Sequence, residues 1–556
     1  MHDFRGFDRL TGHAFASRSE VIAPHAMAAT SHPLATQVAL QAMRSGGSAV
    51  DGAIAANAAL GLMEPTGGGI GGDLFAIVWD PDTRRVQGIN ASGRAPRGAT
   101  LETLRAGGRT AMPETGALTV TVPGCVDGWF SLHEQFGLLE MPELLAPVIA
   151  YARDGVPMPE LIATHWARAA QRFADAPHYA ATFLVDGAPP RKGQRFANPR
   201  LAETYERIAH GGPEAFYRGE IAAAIAAEVQ AQGGHLAAED LAAHASDWVE
   251  PLHTRYRGHE VWQLPPNTQG LAVLQMLNVL EGFDLAGAGF GSADHVHLLV
   301  EAKKLAWADR AHWYADPDAA ALPVDALLSP AYTKACRARI DPARASQHAT
   351  PYDPRLAAGD TVYLTVADPD GMMVSLIQSN CRGMGSGVVP AGLGFMLQNR
   401  GQMFSLDPAH ANAWAPGKRP FHTIIPAFVT RGGEPWLSFG VMGAEMQPQG
   451  QVQVLVNLID FGMNLQEAGD APRVRHDGPP EPFGAPAGDA DGGTVMLESG
   501  FGDAVRGALR ARGHRVEAAP RGVESFGGYQ AILRDHANGA WVGASEARKD
   551  GQAAGW

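Results

Sequence analysis

Cysteine is scarce: three residues, Cys125, Cys336 and Cys381, stand far apart in a chain of 556. That number and spacing exclude a disulfide framework and a Cys-x-x-Cys metal pair, and point to reduced, buried thiols in a cytoplasmic protein. Charge is sparse too, at 18% of residues, with a net charge of -14 and a pI near 5.8. No basic stripe can displace phosphate counterions, so no nucleic-acid partner is expected. No apolar run reaches the ~18 residues a membrane-spanning helix needs, and no membrane partner is expected. The opening MHDFRGFDRLTGHAF has charges throughout and lacks the apolar stretch of a signal peptide. What the chain has in quantity is apolar material, 46% of residues, enough for several cores or one large multilayer domain.

Several chemical signatures are also missing. There is no H-E-x-x-H, no G-x-S-x-G elbow and no Walker loop. The nearest histidine pair, His295 and His297, opens a helix beside Asp294 and reads as core or surface, so no metal and no cofactor are expected. The glycines of TGGGIGGD precede a strand, whereas a dinucleotide fingerprint follows one. They suit a loop whose backbone comes close to a substrate or to the other half of the protein. A Ser-His-Asp triad stays open from one sequence, and Cys381 reads as a structural thiol before a nucleophile.

Local patterns outline the scaffold. Leu34–Arg44 and Ala49–Leu62 read as helices, the second capped by Ser48 with Asp51 in its first turn. Strands are expected at Leu74–Trp79, Val86–Asn90 and Leu118–Val122, and a helix started by the Pro123-Gly124 step and running through Asp127 to Phe136. Residues 139–260 read as mainly helical, including Glu214–Gln232 and Ala238–Ala243, followed by a helix over Val296–Trp313. The polar stretch 339–360, RIDPARASQHATPYDPRLAAGD, reads as an exposed linker. After it, TVYLTVAD and GMMVSLIQS form a hairpin around Asp368-Pro369-Asp370-Gly371. Pairing Ala367 with Met372 sets Thr361 against Gln378, beside Ser379. Leu437–Val441 reads as a central strand.

Thr361 is therefore the first residue of a strand, directly after a linker ending in Gly359-Asp360. A threonine hydroxyl is a weak nucleophile unless a base takes its proton, and a free N-terminal amine is one such base. Scission before Thr361 would supply that amine. Most threonines that open strands are structural, so pattern alone leaves both readings standing.

Longer stretches carry a resemblance. GDTVYLTVADPDGMMVSLIQSN, GSGVVPAGLGFMLQNRGQMFS, PGKRPFHTIIPAFV and LSFGVMGAEMQPQ resemble the small subunit of the γ-glutamyltransferase family. Upstream, GGSAVDGAIAANAALGLMEPTGGGIGGDLFAIV, TVPGCVDGWFSLHEQFG, GGHLAAEDLAAH with YRGHEV, and EAKKLAWADR resemble its large subunit, in the family order. The resemblance implies an α/β (α+β) four-layer αββα N-terminal-nucleophile sandwich with a helical large-subunit region. It implies autocatalytic cleavage between Asp360 and Thr361 into 1–360 and 361–556, which stay together as a heterodimer, with a higher oligomer left open. Thr361 would be nucleophile and new N-terminus, Ser379 would stand where the family has a threonine hydroxyl bonded to it, and Asn380 near a substrate-binding asparagine. Gly443-Ala444 stands for the Gly-Gly pair whose N–H groups hold the oxyanion, one such donor being worth about 3 kcal/mol of barrier.

The γ-glutamyl pocket departs from the family. Ser92 replaces the arginine that binds the α-carboxylate, with Arg94 two residues on. Met403 replaces the aspartate that holds the α-ammonium, Arg400 a glutamine, and His422-Thr423 a pair of serines. An ammonium brought beside Met403 would lack a counter-charge, at a cost of several kcal/mol. The expected substrate is a small carboxylate-bearing or polar amide without a free α-amino group, as in the oxamate amidohydrolase-like and cephalosporin acylase-like branch. Arg94, Arg400 and His422 are the candidate anion binders, each arginine being equally readable as a structural ion pair. The alternatives are a true γ-glutamyltransferase with a rebuilt pocket and an inactive binding homologue.

Overall fold

The computed structural model describes residues 9–347, 361–478, 492–519 and 524–556. Linker residues 348–360, with Asp360, lie outside the described residues.

Two seven-stranded antiparallel sheets pack face to face. One runs Gln552–Gly555, Met27–Thr30, Val362–Ala367, Met373–Ser379, Asp73–Asp80, Arg85–Ala91, Asp247–Val249. The other runs Val21–Ala23, Ala540–Ser545, Tyr529–Asp535, Glu434–Val441, Ala427–Arg431, His259–Gln263, Leu252–Tyr256. Alternation of side chains explains the layering. Phe75, Ile77, Tyr363 and Ile377 of the first sheet meet Ile424, Phe428, Met442 and Ile532 from the second in an inter-sheet core. Val362, Leu364 and Val366 point the other way, into a core with the helices Pro33–Arg44 and Ala49–Met63. Helices Gly270–Leu280, Ala293–Trp313 and Met446–Ile459 cover the second sheet. The result is the αββα sandwich.

The helix Ala49–Met63 is buried at all fifteen positions, which its alanines and glycines permit. Ser48 and Asp51 cap it reciprocally, as expected. Three expectations need correction. Leu118–Val122 is no strand: Ala117–Thr119 is a 3-10 turn, and Val122 N–H donates to the Arg94 carbonyl instead of joining a ladder. The stretch 214–232 holds the end of one helix, Pro199–Tyr217, and a second, Glu220–Ala231, separated at Gly219, where the backbone turns extended. The 139–260 region is mainly helical, as expected, with strands Asp247–Val249 and Leu252–Tyr256 near its end. Finally, the hairpin register is one residue further on, Ala367 pairing with Met373 and Val362 with Gln378, because the Asp368 carboxylate accepts the N–H groups of Asp370 and Met372 and widens the turn.

Candidate active site

That register sets the geometry of one end of the first sheet. With Val362 opposite Gln378, Thr361 falls level with Ser379; Ser379 pairs with Asp73; and Leu74 pairs with Ala91, so Asp73 is level with Ser92. Four polar residues thus form a row across adjacent strands, with Asp73 about 10 Å from Thr361 at ~4.8 Å per strand. The row shares the face of Tyr363, Ile377 and Phe75, toward the second sheet. Thr361 Oγ1 donates to Ser379 Oγ at 3.4 Å, and Ser379 Oγ accepts the N–H of Cys381 at 2.8 Å. Thr361 and Ser379 are both buried.

The glycine loop packs directly under this row. A Cβ at Gly67 would lie 3.1 Å from the Thr361 carbonyl carbon, and one at Gly68 only 2.0 Å from Gln378 Oε1. Gln378 in turn accepts the Gly69 N–H at 2.7 Å and donates to the Gly69 carbonyl at 2.5 Å. The loop therefore brings backbone against the strand that Thr361 opens. Asn380 lies beside it: its N–H donates to the Gly67 carbonyl at 3.3 Å, and its buried Oδ1 has no partner.

From the second sheet, Thr365 Oγ1 meets Ser438 Oγ at 2.7 Å, and Tyr363 packs on Gly440. One more step along both strands makes Thr361 level with Met442 and Gly443. Gly443 (φ +104°) and Ala444 (φ +47°) are both left-handed, and neither backbone N–H donates to a described residue. A non-glycine residue there is strained and persists only when its surroundings dictate it. They do. Gln269 Nε2 donates to the Ala444 carbonyl at 3.0 Å and to the Thr423 carbonyl at 2.6 Å, while its Oε1 accepts from Arg310 at 2.7 Å. Arg310 is paired through both terminal nitrogens with Glu445, at 3.0 and 2.8 Å, and Trp307 donates to the same carboxylate at 3.0 Å. Burial pushes Glu445 up, but Arg310, joined by Lys303 and the Trp307 hydrogen bond, holds the carboxyl below its ordinary value.

The residues named for anion binding separate into two groups. Arg94 is part of a partly exposed acidic cluster, 3.2 Å from Asp318, 3.5 Å from Asp316 and 3.7 Å from Asp247. Ser92 is locked by Asn90, whose Oδ1 accepts its hydroxyl at 2.7 Å, and by Asn267, which donates to Ser92 Oγ at 3.2 Å. Arg400, His422 and Thr423 instead come together beside Asp73. Arg400 is fully buried and donates from Nη1 to Thr423 Oγ1 at 2.9 Å. His422 Nε2 lies 2.9 Å from Asp73 Oδ2 with both side chains wholly buried. Burial pushes Asp73 up to about 7 even though Arg400 opposes the shift, and burial followed by Arg400 drives His422 well below its ordinary value. Met403 is buried among apolar side chains.

His297, Glu301 and His514 also gather, their ligand atoms within 4.8 Å of one another. Lys304 occupies Glu301 at 2.8 Å, and His297 and His514 bond each other at 2.8 Å, so the cluster is already satisfied by protein groups. Sequence reasoning passed over Asp73, Gln269, Arg310 and Glu445. The readable signal was a carboxylate opening an otherwise apolar strand, and an Arg and a Glu inside apolar motifs.

A double antiparallel sandwich between helical layers is the fold of the N-terminal-nucleophile hydrolases. The chain belongs to the γ-glutamyltranspeptidase family, whose sequence profile matches residues 35–556. It is 37% identical to the oxamate amidohydrolase proenzyme of Klebsiella pneumoniae, over 97% of this chain and all of that one. It is 35% identical to a glutathione hydrolase-like proenzyme of Bacillus subtilis, over 96% and 99% of the two. Cephalosporin acylase from Bacillus halodurans superposes with a TM-score of 0.89 at 41% identity, covering 99% of both chains.

Proposed function

We propose that this chain is a self-cleaving amide hydrolase or acyltransferase whose nucleophile is Thr361. The Thr361 hydroxyl first attacks the Asp360 carbonyl carbon; the N→O acyl shift breaks the amide bond and frees the threonine amine, and hydrolysis of the resulting ester restores the hydroxyl and severs the chain. In the mature enzyme this amine takes the hydroxyl proton as the oxygen attacks a substrate amide, Gly443 and Ala444 N–H groups hold the oxyanion, and water or an amine releases the acyl group. The observation that carries the reading is the Thr361–Ser379 hydroxyl contact at the start of a central strand. The two pieces, 1–360 and 361–556, would remain together because Val362–Ala367 pairs on one side with Met27–Thr30, and Met373–Ser379 with Asp73–Asp80.

The substrate we infer is a small amide with a carboxylate-bearing acyl part and no α-ammonium, since Met403 offers such an ammonium no counter-charge. The relatives named oxamate amidohydrolase and cephalosporin acylase fit this better than glutathione cleavage. Three buried free thiols accord with a reducing cytoplasm. Mass spectrometry tests the core: purified protein should give two chains meeting at Asp360–Thr361. Amide turnover by a chain never cut at that bond would refute the mechanism. Rapid turnover of γ-glutamyl-p-nitroanilide relative to oxamate and glutaryl amides would refute the substrate class alone.

A further inference from the structure

Arg400 presents an unusual account of its own charge. Its side chain is wholly buried, yet among the described residues it forms no ion pair. Nη1 is spent on Thr423 Oγ1, while Nε and Nη2, which together make the side-on edge of the guanidinium, have no partner. A buried cation with unmet N–H groups is costly to the fold, and proteins retain one where a ligand completes it. The edge left open is the one that takes both oxygens of a carboxylate in parallel hydrogen bonds. His422, next to Thr423 in sequence, leaves Nδ1 buried and unpartnered as well. Arg94 differs on every count: half-exposed, and already shared among three aspartates.

We propose that the Nε–Nη2 edge of Arg400, with Thr423 fixing its plane, is the receptor for the carboxylate of an anionic acyl group, and that Arg94 is not. This rests on reading the Thr361 end of the sheet as the acyl site. Residence there puts the acyl chain along the row from Thr361 toward Asp73 and His422, so the substrate is the half-amide of a short diacid.

Binding, rather than turnover, tests it. Oxalate, malonate, succinate and glutarate are titrated calorimetrically into the purified full chain, and Tm is measured for each variant. At least one diacid should bind. Arg400→Met should weaken it tenfold or more with Tm unchanged or raised, because the fold loses a cation it never paired; Arg400→Lys should fall between, keeping charge without the fork. Arg94→Met should leave affinity within twofold and lower Tm, since Asp247, Asp316 and Asp318 lose their shared cation. The proposal is overturned if no diacid binds, if both Met variants weaken binding alike, or if Arg400→Met keeps its affinity or unfolds the protein. A chain that is uncut and inactive yet binds diacids through Arg400 would sink the proposed mechanism and leave the receptor standing.

Discussion

The two ends of the polar row are built from different materials. At the Thr361 end, hydroxyls, glycine backbone and amide side chains do the positioning. At the Asp73 end, an arginine, a histidine and an aspartate are buried together. Neutral groups can be held tightly by sheet register at little desolvation cost, which suits a reaction common to a family. Buried charges are expensive and selective, which suits recognition, the part that differs between members. The contrast teaches that chemistry and specificity can diverge separately along one sheet edge.

The largest effect should come from breaking the neutral end. Thr361→Ala should remain a single chain of 58.7 kDa on a denaturing gel and lose activity by on the order of 10^4-fold or more. Next comes the clamp that spans both ends: Gln269→Leu frees the Ala444 and Thr423 carbonyls together. Steady-state kinetics should show kcat down about 10- to 100-fold, with KM moved less than kcat if oxyanion support is the main loss. A KM change alone would assign Gln269 to binding only.

The charged end predicts a pH signature. Asp73 is an acid whose pKa is raised from 3.8 to about 7, so between those values the folded chain holds a proton that the unfolded chain has released. Its contribution to stability is therefore greatest at low pH and declines as pH rises from about 4 to about 7. His422, lowered in the fold, works in the opposite sense below pH 6.5, so the Asp73 share is isolated by difference. Wild-type minus Asp73→Asn stability, from denaturant melts, should fall across that window and flatten above it; a flat difference throughout would remove Asp73 as a buried acid. The smallest effect is expected at Ala444→Gly. Relief of its left-handed backbone, ~1–2 kcal/mol, is partly offset by glycine's entropy, ~0.5–1 kcal/mol, so Tm should rise slightly with cleavage intact.

Much of this was legible in the chain. The capped helix Ala49–Met63, the hairpin after residue 360, the central strand ending at Val441 and the nucleophile candidate Thr361 each follow from local signals: a Ser-x-x-Asp cap, alternating apolar residues, a Pro-Asp-Gly turn and a linker boundary. The resemblance extended that to the order of the layers. The misreadings also have local causes. Leu118–Val122 has the composition of a strand but no neighbour to pair with, and the turn after Ala367 is one residue wider because a buried carboxylate organises it.

Residue types, their periodicity and the position of one threonine after a polar linker were determined by sequence alone, because caps, turns and alternation act within a few residues of one another. Which arginine is tied up and which is left with an open edge was decided only by tertiary structure. Arg94 and Arg400 look alike along the chain; Asp247 and the Asp316–Asp318 segment surround the first, while the second lies near Asp73 and His422 without a direct ion pair and keeps one edge open. Burial and long-range charge are properties of the packed sandwich, and no short stretch of sequence encodes them.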